Sequence, residues 1–256
     1  MRSYEFNRKD SVFMSGKITK IKAVEKNDPY LSIRLGSAHS FFIPSDNGAV
    51  LIDVGNAHKV SQLKSVLHAH EYALDDIRHV IVTHTHHDHV GSLAELKKRA
   101  GANIIVHETE ANYLRLGRTP LPKGTTAYAK VLVALGRLAR VGAFTPIEAD
   151  IFVTNSFDLS DIGINGYLLH TPGHTQGSMS VILNDGIAFV GDTLFNIHPE
   201  TVYPPFANDP NRLLHSWRLL YETGCKIFNP SHGKPIEREK FRRCFLKRNR
   251  SNLQRT

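Results

Sequence analysis

Cysteine is scarce in this chain of 256 residues, and long hydrophobic runs are missing from it. Only Cys225 and Cys244 are present, which excludes a disulfide framework and favours reduced thiols in a cytoplasmic protein. No apolar run reaches the ~18 residues of a membrane span, so we expect no membrane partner. The N-terminus also lacks the apolar stretch of a signal peptide. The hydrophobic content of 41% suits a globular protein with a substantial core.

The formal charge of +8 is concentrated near the C-terminus. Residues 238–256 contain eight Arg or Lys and one acid, which leaves 24 basic and 23 acidic residues in the rest of the chain. Such a charge run is most often a solvated helix or a frayed terminus, and contact with nucleic acid is the less favoured alternative. We therefore describe residues 238–256 as a basic C-terminal tail on a nearly neutral body.

Short β-branched runs separated by turn residues predict two β-hairpins. Asp, Asn and Gly in the turns tolerate the positive φ of a tight reversal. Each hairpin runs into an aspartate, Asp53 or Asp192, which suggests a duplicated α/β architecture with two sheets face to face. The predicted hairpins pair Ser40–Ile43 with Ala49–Asp53, and Met179–Leu183 with Ile187–Val190.

The remaining elements are predicted from periodicity and from start and stop signals. Ser92 is a candidate N-cap, Gly101 follows the same helix, and Asp209 with Pro210 begins another. We see no linker or repeat, so we predict one domain over residues 1–256. Further strands are predicted at Ile18–Val24, Leu31–Leu35, Val80–Thr83, Asn103–Val106 and Lys226–Phe228. Helices are predicted at Lys59–His70, Ser92–Ala100, Thr126–Val141 and Asp209–Glu222.

The helix predicted at Thr126–Val141 lies in a helical insertion near residues 117–145, between the two halves of the chain. One interpretation is an ordinary amphipathic helix packed on the core, and the other is a cap over an active site. Its apolar residues at helical spacing are Tyr128, Val131, Leu132, Leu135 and Leu138.

Histidine is unusually frequent, with fifteen in the chain, and the run His84-Thr85-His86-His87-Asp88-His89 is the densest cluster. Residues i and i+2 of an extended backbone point the same way, so His84 and His86 can share one metal. The following turn can aim Asp88 and His89 at a neighbouring position. Imidazole and carboxylate ligands with no nearby Cys favour zinc, with iron or manganese as alternatives.

Four ligands cannot close two coordination spheres, so other loops must contribute. His174, Asp192 and His232 are candidates, because each follows a predicted strand and stands beside a glycine that allows close backbone approach. The motifs LIDVG, HTHHDH, TPGHTQG, GDTLF and PSHG occur in this order over roughly residues 40–236. In this pattern the chain resembles the metallo-β-lactamase superfamily. The resemblance implies an αββα sandwich, in which two mixed β-sheets flanked by helices hold the metals at one edge.

The resemblance also implies a role for each matched residue. Asp53 is expected to orient ligands through hydrogen bonds, and His87 is expected in a packing or supporting role. His198 and Tyr203 are pocket candidates, because they lie on a Pro-rich stretch that leaves the Asp192 loop. In the family pattern the first metal is held by His84, His86 and His174, the second by Asp88, His89 and His232, and Asp192 bridges both.

The family chemistry implied is hydrolysis by a hydroxide shared between two metals, with Asp88 as the proton acceptor. GDTLF is similar to glyoxalase II, which favours a small ester, thioester or lactone substrate. The pattern that follows this motif in glyoxalase II is absent, however, and Phe195 stands where superfamily lactonases place Tyr. The alternatives are an RNase Z-like phosphodiesterase or nuclease, whose basic tail would grip phosphates, and an iron-dependent persulfide dioxygenase.

Overall fold

The computed structural model describes residues 29–45, 47–139 and 141–253. The strand predicted at Ile18–Val24 lies outside these residues. Among the described elements, no helix combines the length and the apolar composition that a bilayer crossing requires.

The N-terminal half forms a six-stranded sheet with its strands in chain order. Its first three strands form an antiparallel meander, and the next three are added in parallel. The strands are β1 (Leu31–Leu35), β2 (Ala38–Ser45), β3 (Gly48–Ile52), β4 (Ile77–Ile81), β5 (Asn103–His107) and β6 (Ile151–Val153). The helices of this half are α1 (Val60–Ala69), α2 (His87–Val90), α3 (Leu93–Ala100), α4 (Glu108–Leu116) and α5 (Ala127–Leu138).

The C-terminal half forms a second six-stranded sheet, again in chain order. It is antiparallel except for one parallel pair, β10 with β11. The strands are β7 (Ser156–Asp158), β8 (Gly166–His170), β9 (Met179–Leu183), β10 (Ile187–Gly191), β11 (Ile227–Pro230) and β12 (Ile236–Glu237). The helices are α6 (Pro210–Glu222) and α7 (Arg238–Leu253).

Side chains that alternate across the strands build three layers of core. On β3, Leu51 packs among residues from α1 and α3, whereas Ile52 faces the second sheet. On β9, Val181 faces the first sheet, whereas Ile182 joins the core under α6 and α7. Each such burial contributes about 1.5–3 kcal/mol. Period-two alternation with both faces covered makes an αββα sandwich, so the predicted fold class is confirmed.

Both predicted hairpins are present, with Phe42 opposite Leu51 and Phe189 opposite Val181. The strand predicted at Val80–Thr83 instead spans Ile77–Ile81, because Thr83 turns away to bond another loop. The N-cap predicted at Ser92 is wrong as a side-chain cap. Its hydroxyl donates to the carbonyl oxygen of Asn56 at 2.5 Å and accepts from the Lys59 N–H at 2.8 Å, so it ties two loops together instead.

The last two helices, α6 and α7, lie where the sequence predicts a helix start and a basic segment. Asp209 accepts from the backbone N–H groups of Asn211 and Arg212, both at 3.0 Å, so α6 begins where the Asp-Pro pair predicts. The basic segment forms α7, in which Phe241 and Phe245 are buried in the core under the second sheet. The first half of this segment is therefore packed structure with basic residues on its outer side.

Contrary to the first of its two interpretations, the insertion helix α5 does not pack its apolar face on the core. Thr126 caps it by accepting from the Ala129 N–H at 3.1 Å, and it packs through Ala129 and Val133. Its large apolar residues are exposed, so the expectation that they pack on the core is wrong. The helix is therefore packed on the body through the side that carries Ala129 and Val133 only.

Candidate metal centre

The loops at one edge of the two sheets bring the seven predicted metal ligands into two groups. Within each group the ligand atoms lie within 4.8 Å of one another. The first group contains His84, His86, His174 and Asp192, and the second contains Asp88, His89 and His232. Side chains from three distant loops therefore meet the HTHHDH loop.

Hydrogen bonds orient the rings of the first group toward one point. His174 Nδ1 donates to the carbonyl oxygen of Phe206 at 2.9 Å, so Nε2 carries the lone pair and faces the cluster, 2.9 Å from His86 Nδ1. Nδ1 of His84 lies 3.1 Å from the Thr83 hydroxyl oxygen, which itself donates to Asp53. With Nδ1 engaged in His84 and His174, these two rings present Nε2 to a metal, whereas His86 turns its Nδ1 toward His174.

Asp192 lies between the two groups. Its Oδ2 is 3.3 Å from His174 Nε2 and 3.8 Å from His84 Nε2, on the side of the first group. Its Oδ1 is 3.4 Å from both His89 Nε2 and His232 Nε2, on the side of the second group. Asp88 completes the second group, with Oδ2 3.4 Å from His232 Nε2. Each oxygen of Asp192 thus faces a different set of histidines.

The donor set fits metal ions by its chemistry and by its unmet hydrogen bonds. Donor atoms about 2.1 Å from one tetrahedral ion lie about 3.4 Å apart, which is close to the separations across Asp192. Buried polar atoms without partners are costly in a folded protein. Buried cluster atoms without a hydrogen-bond partner include His84 Nε2, His86 Nε2, His89 Nε2 and Asp192 Oδ1.

The family model of the metallo-beta-lactamase superfamily matches residues 33–232. The chain belongs to this superfamily.

Relatives within the superfamily are distant. A probable metallo-hydrolase, YqgX of Bacillus subtilis, is 26% identical over 163 residues, 62% of this chain and 66% of that protein. A hydroxyacylglutathione hydrolase of Shewanella pealeana is 29% identical over 119 residues, 46% of this chain and 33% of that protein. The chain therefore spans from one third to just under two thirds of these curated relatives.

Solved structures of the superfamily share the sandwich. TTHA1623, solved in a di-iron-bound form, superposes with a TM-score of 0.65 at 21% identity. The match covers 84% of this chain and 98% of that protein. At this identity the likeness concerns the fold alone.

Burial and nearby charge shift the pKa values of the histidines in opposite directions in the two groups. Burial lowers the pKa of His84 well below its usual value and that of His86 to about 3. Burial would also lower the pKa of His89 and His232, but carboxylates, foremost Asp192, outweigh it and raise both. Burial would raise the pKa of Asp192, but the surrounding histidines hold it at about 2.

Asp53 supports the second group from beneath. It follows β3 in the left-handed region, at φ +56°, and is fully buried. Its carboxylate accepts from His89 Nδ1 at 2.8 Å, from the Thr83 N–H at 2.8 Å and from the Thr83 hydroxyl at 2.7 Å. These contacts connect the end of β3 to the HTHHDH loop, and the uncommon backbone conformation directs the side chain into it.

Glu110 is a supporting residue that the sequence analysis missed. It lies on α4, is fully buried, and accepts from the Thr85 N–H at 3.1 Å and the Thr85 hydroxyl at 2.5 Å. It also accepts from the Gly177 N–H at 3.1 Å. One carboxylate therefore joins the loop of His84 and His86 to the loop of His174. An acid at the start of a helix ordinarily indicates helix capping, so its sequence position gave no distinct signal.

The remaining predicted residues lie in varied surroundings. His87 is partly exposed, with Nδ1 4.0 Å from Asp88 Oδ1. The ring of Phe195 stacks on His232 at 4.7 Å, so it supports a candidate ligand. Of the two pocket candidates, Tyr203 packs against Trp217, and His198 Nδ1 accepts from the Glu200 N–H. His198 therefore bonds within its own loop, and Tyr203 packs against α6.

Proposed function

We propose that this chain is a dinuclear metal-dependent hydrolase. The observation that carries the proposal is the position of Asp192, whose two oxygens lie 3.3–3.4 Å from histidines of opposite groups. One carboxylate so placed can serve two ions at once. The clustering of all seven residues supports two sites rather than one.

The proposed ligand sets follow the two groups. Zinc suits these imidazole and carboxylate donors, and iron or manganese would also bind them. Two ions there would supply a hydroxide nucleophile near neutral pH and stabilise negative charge developing on the substrate. We assign His84, His86 and His174 to the first ion, Asp88, His89 and His232 to the second, and Asp192 to both.

Asp88 is proposed as the proton acceptor as well as a ligand. Neighbouring histidines, foremost His89, outweigh the effect of burial and hold its pKa well below its usual value, so it is ionised at neutral pH. It is 18% exposed, more than the other acid of the cluster, so a substrate or water can reach it. Its Oδ2 contacts His232 and accepts from the Ser37 hydroxyl at 3.3 Å, whereas Oδ1 lies 3.9 Å from His89 and 4.0 Å from His87, beyond hydrogen-bond distance, so Oδ1 is the oxygen proposed to receive a proton.

The substrate class proposed is a small ester, thioester or lactone. The support is that several relatives are named hydroxyacylglutathione hydrolases, and that GDTLF follows the glyoxalase II pattern. Phe195 stacks on His232 and has no hydroxyl to bind a substrate oxygen, which argues against the lactonase specialisation. Cytoplasmic location stays a prediction; Cys225 is buried, Cys244 is half-buried, and both are free.

The test pairs metal analysis with a substrate panel. Purified protein should carry close to two metals per chain and should hydrolyse thioesters or esters in a panel that also holds lactones and phosphodiesters. Lys226→Ala is a control that should match the wild type, because this exposed lysine precedes β11 at the end of the strand away from His232. Activity in metal-free, folded protein would overturn the proposal. Turnover of phosphodiesters alone, with steep loss in salt, would replace the substrate class by nucleic acid.

A further inference from the structure

Helix α5 presents a continuous apolar face to solvent. Successive side chains on a helix are separated by about 100°, so the five large apolar residues fall on an arc of roughly 120°. Exposed alanines widen the arc without polar groups to roughly 160°. The five are Tyr128 (72% exposed), Val131 (57%), Leu132 (39%), Leu135 (57%) and Leu138 (84%).

The same helix is tied to the body on a different side. Ala129 and Val133 are its buried residues. The segment just before it is fastened by the Thr125 N–H, which donates to the Pro205 carbonyl oxygen at 2.8 Å. The apolar face therefore lies on the solvent side of a helix whose other side is packed on the body, and large exposed apolar areas of this kind mark interaction sites.

Positive charge borders this face. Lys130 and Arg137 are exposed and lie at one edge of the apolar arc. Residues 111–147 contain six Lys or Arg and no Asp or Glu. The basic helix α7 approaches the same region, because Arg248 lies 3.9 Å from the ring centre of Tyr203. The next residue along from that tyrosine, Pro204, accepts a hydrogen bond from Thr125 at 2.9 Å.

We propose that α5 docks the protein onto the surface of a lipid bilayer that carries anionic headgroups. A helix with an apolar face and basic residues at its edge lies in the membrane interface, with the apolar side chains at the acyl boundary. At 12 residues it is too short to cross the bilayer. The expectation of no membrane partner rested only on the lack of a spanning run, and the proposal replaces it with contact at the bilayer surface.

Charge selects this occupant over a second copy of the chain. Anionic headgroups attract a segment that has only basic charges, whereas a second copy brings the same sign of charge against it. The inference goes beyond hydrolysis and does not depend on it, since none of the seven candidate ligands belongs to this helix.

Vesicle flotation tests the inference. We expect the protein to float with vesicles of phosphatidylcholine containing about one third phosphatidylserine, to float poorly with phosphatidylcholine alone, and to detach as salt rises. The double variant L135S/L138S should lower the partition coefficient about tenfold or more. The charge reversal K130E/R137E should lower it by about tenfold or more on anionic vesicles only. Phe152→Ser is the matched control, since Phe152 is also 57% exposed but lies on β6.

Several results would overturn the proposal. They are no flotation of the wild type with anionic vesicles, equal flotation with neutral ones, or flotation unchanged in L135S/L138S. A dimer seen by light scattering that L135S/L138S dissociates, without vesicle binding, would assign the face to a second copy. Circular dichroism melts must show each variant folded. Because the readout is binding, failure here leaves the proposed hydrolysis standing, and inactivity leaves the docking standing.

Discussion

The two groups of candidate ligands differ in depth. Every side chain of the first group is at most 6% exposed, whereas Asp88 and His232 of the second are 18% and 14% exposed. A position walled by buried side chains is part of the core, and a position with exposed ligands admits solvent. Under the proposed function, a substrate would therefore approach from the side of the second group.

The two groups also differ in how readily their histidines are protonated when no metal is bound. The histidines of the first group have lowered pKa values, with burial as the main cause. Those of the second group have raised pKa values, because carboxylates surround them. One position is therefore built for neutral imidazoles, while at the other a metal must displace protons.

Replacing Asp192, the residue shared by both groups, should have the largest effect on activity, because both proposed ions lose a ligand at once. Asp192→Ala should lower kcat/KM by more than the about 100-fold typical of outer-shell changes, and should reduce metal content at both positions. Kinetics with parallel metal analysis measures this. Asp185→Ala, in the β9–β10 turn, is the control. A variant that retains two metals and full activity would remove Asp192 from the site.

The next test changes one ligand in each group. His174→Ala should reduce metal content and also lower the free energy of unfolding by about 1–3 kcal/mol, since a buried ring is removed and the part-buried Phe206 carbonyl loses its donor. His232→Ala should reduce metal content with a smaller stability loss, because His232 is partly exposed. Denaturant melts of the metal-free proteins measure the difference. Equal stability losses would contradict the contrast in depth.

Glu110→Gln should weaken metal binding by the first group more than metal binding by the second. Its amide would face backbone donors at Thr85 or Gly177, so we expect about 10–100-fold lower affinity for the first metal. Competition with a chelator, followed metal by metal, measures this, and Glu110→Asp should restore part of the affinity. Glu108→Gln, an exposed change on the same helix, is the control. Equal loss of both metals would show a general structural defect instead.

The smallest expected effect is a difference in pH dependence between the two positions. The raised pKa values of His89 and His232 let protons compete with the second metal as pH falls through and below neutrality. His86, with a pKa of about 3, resists protonation at the first position. Dialysis from about pH 8 to about pH 5 should therefore release the second metal first. Release of both metals at the same pH would contradict the proposed difference in pH dependence between the two positions.

In the metal-free protein the same pKa shifts make the free energy of unfolding depend on pH. Because the folded pKa of His86 is lowered, to about 3, its contribution is present above the ordinary value of 6.5 and is lost as pH falls below it. The raised pKa of His232 acts in the opposite sense, since its contribution is lost as pH rises through the folded pKa. His89 acts in the same sense as His232, but the three histidines of the first group outnumber these two. Asp88 and Asp192, whose pKa values are lowered, also lose their contribution in acid, so acid should destabilise the metal-free protein.

Prediction from the sequence succeeded where a local pattern carries the information. Period-two runs and Asp-Gly or Asn-Gly turns located both hairpins, and Asp209 with Pro210 located the start of α6. It failed at α5, because helical periodicity shows that a face is apolar but not what covers it. It also failed at Ser92, whose hydroxyl bonds a loop that is distant in sequence.

The sequence by itself predicted the fold class and the candidate ligands, because its ordered motifs resemble the superfamily, while strand alternation and ligand chemistry, which are properties of residue type and spacing, agree with that resemblance. Only the tertiary structure decided which ligand faces which, since His174, Asp192 and His232 reach the cluster from loops far apart in the chain. It also revealed Glu110 beneath two of those loops and the bare apolar face of α5. Burial and long-range contact arise from the packing of whole sheets, and no local pattern encodes them.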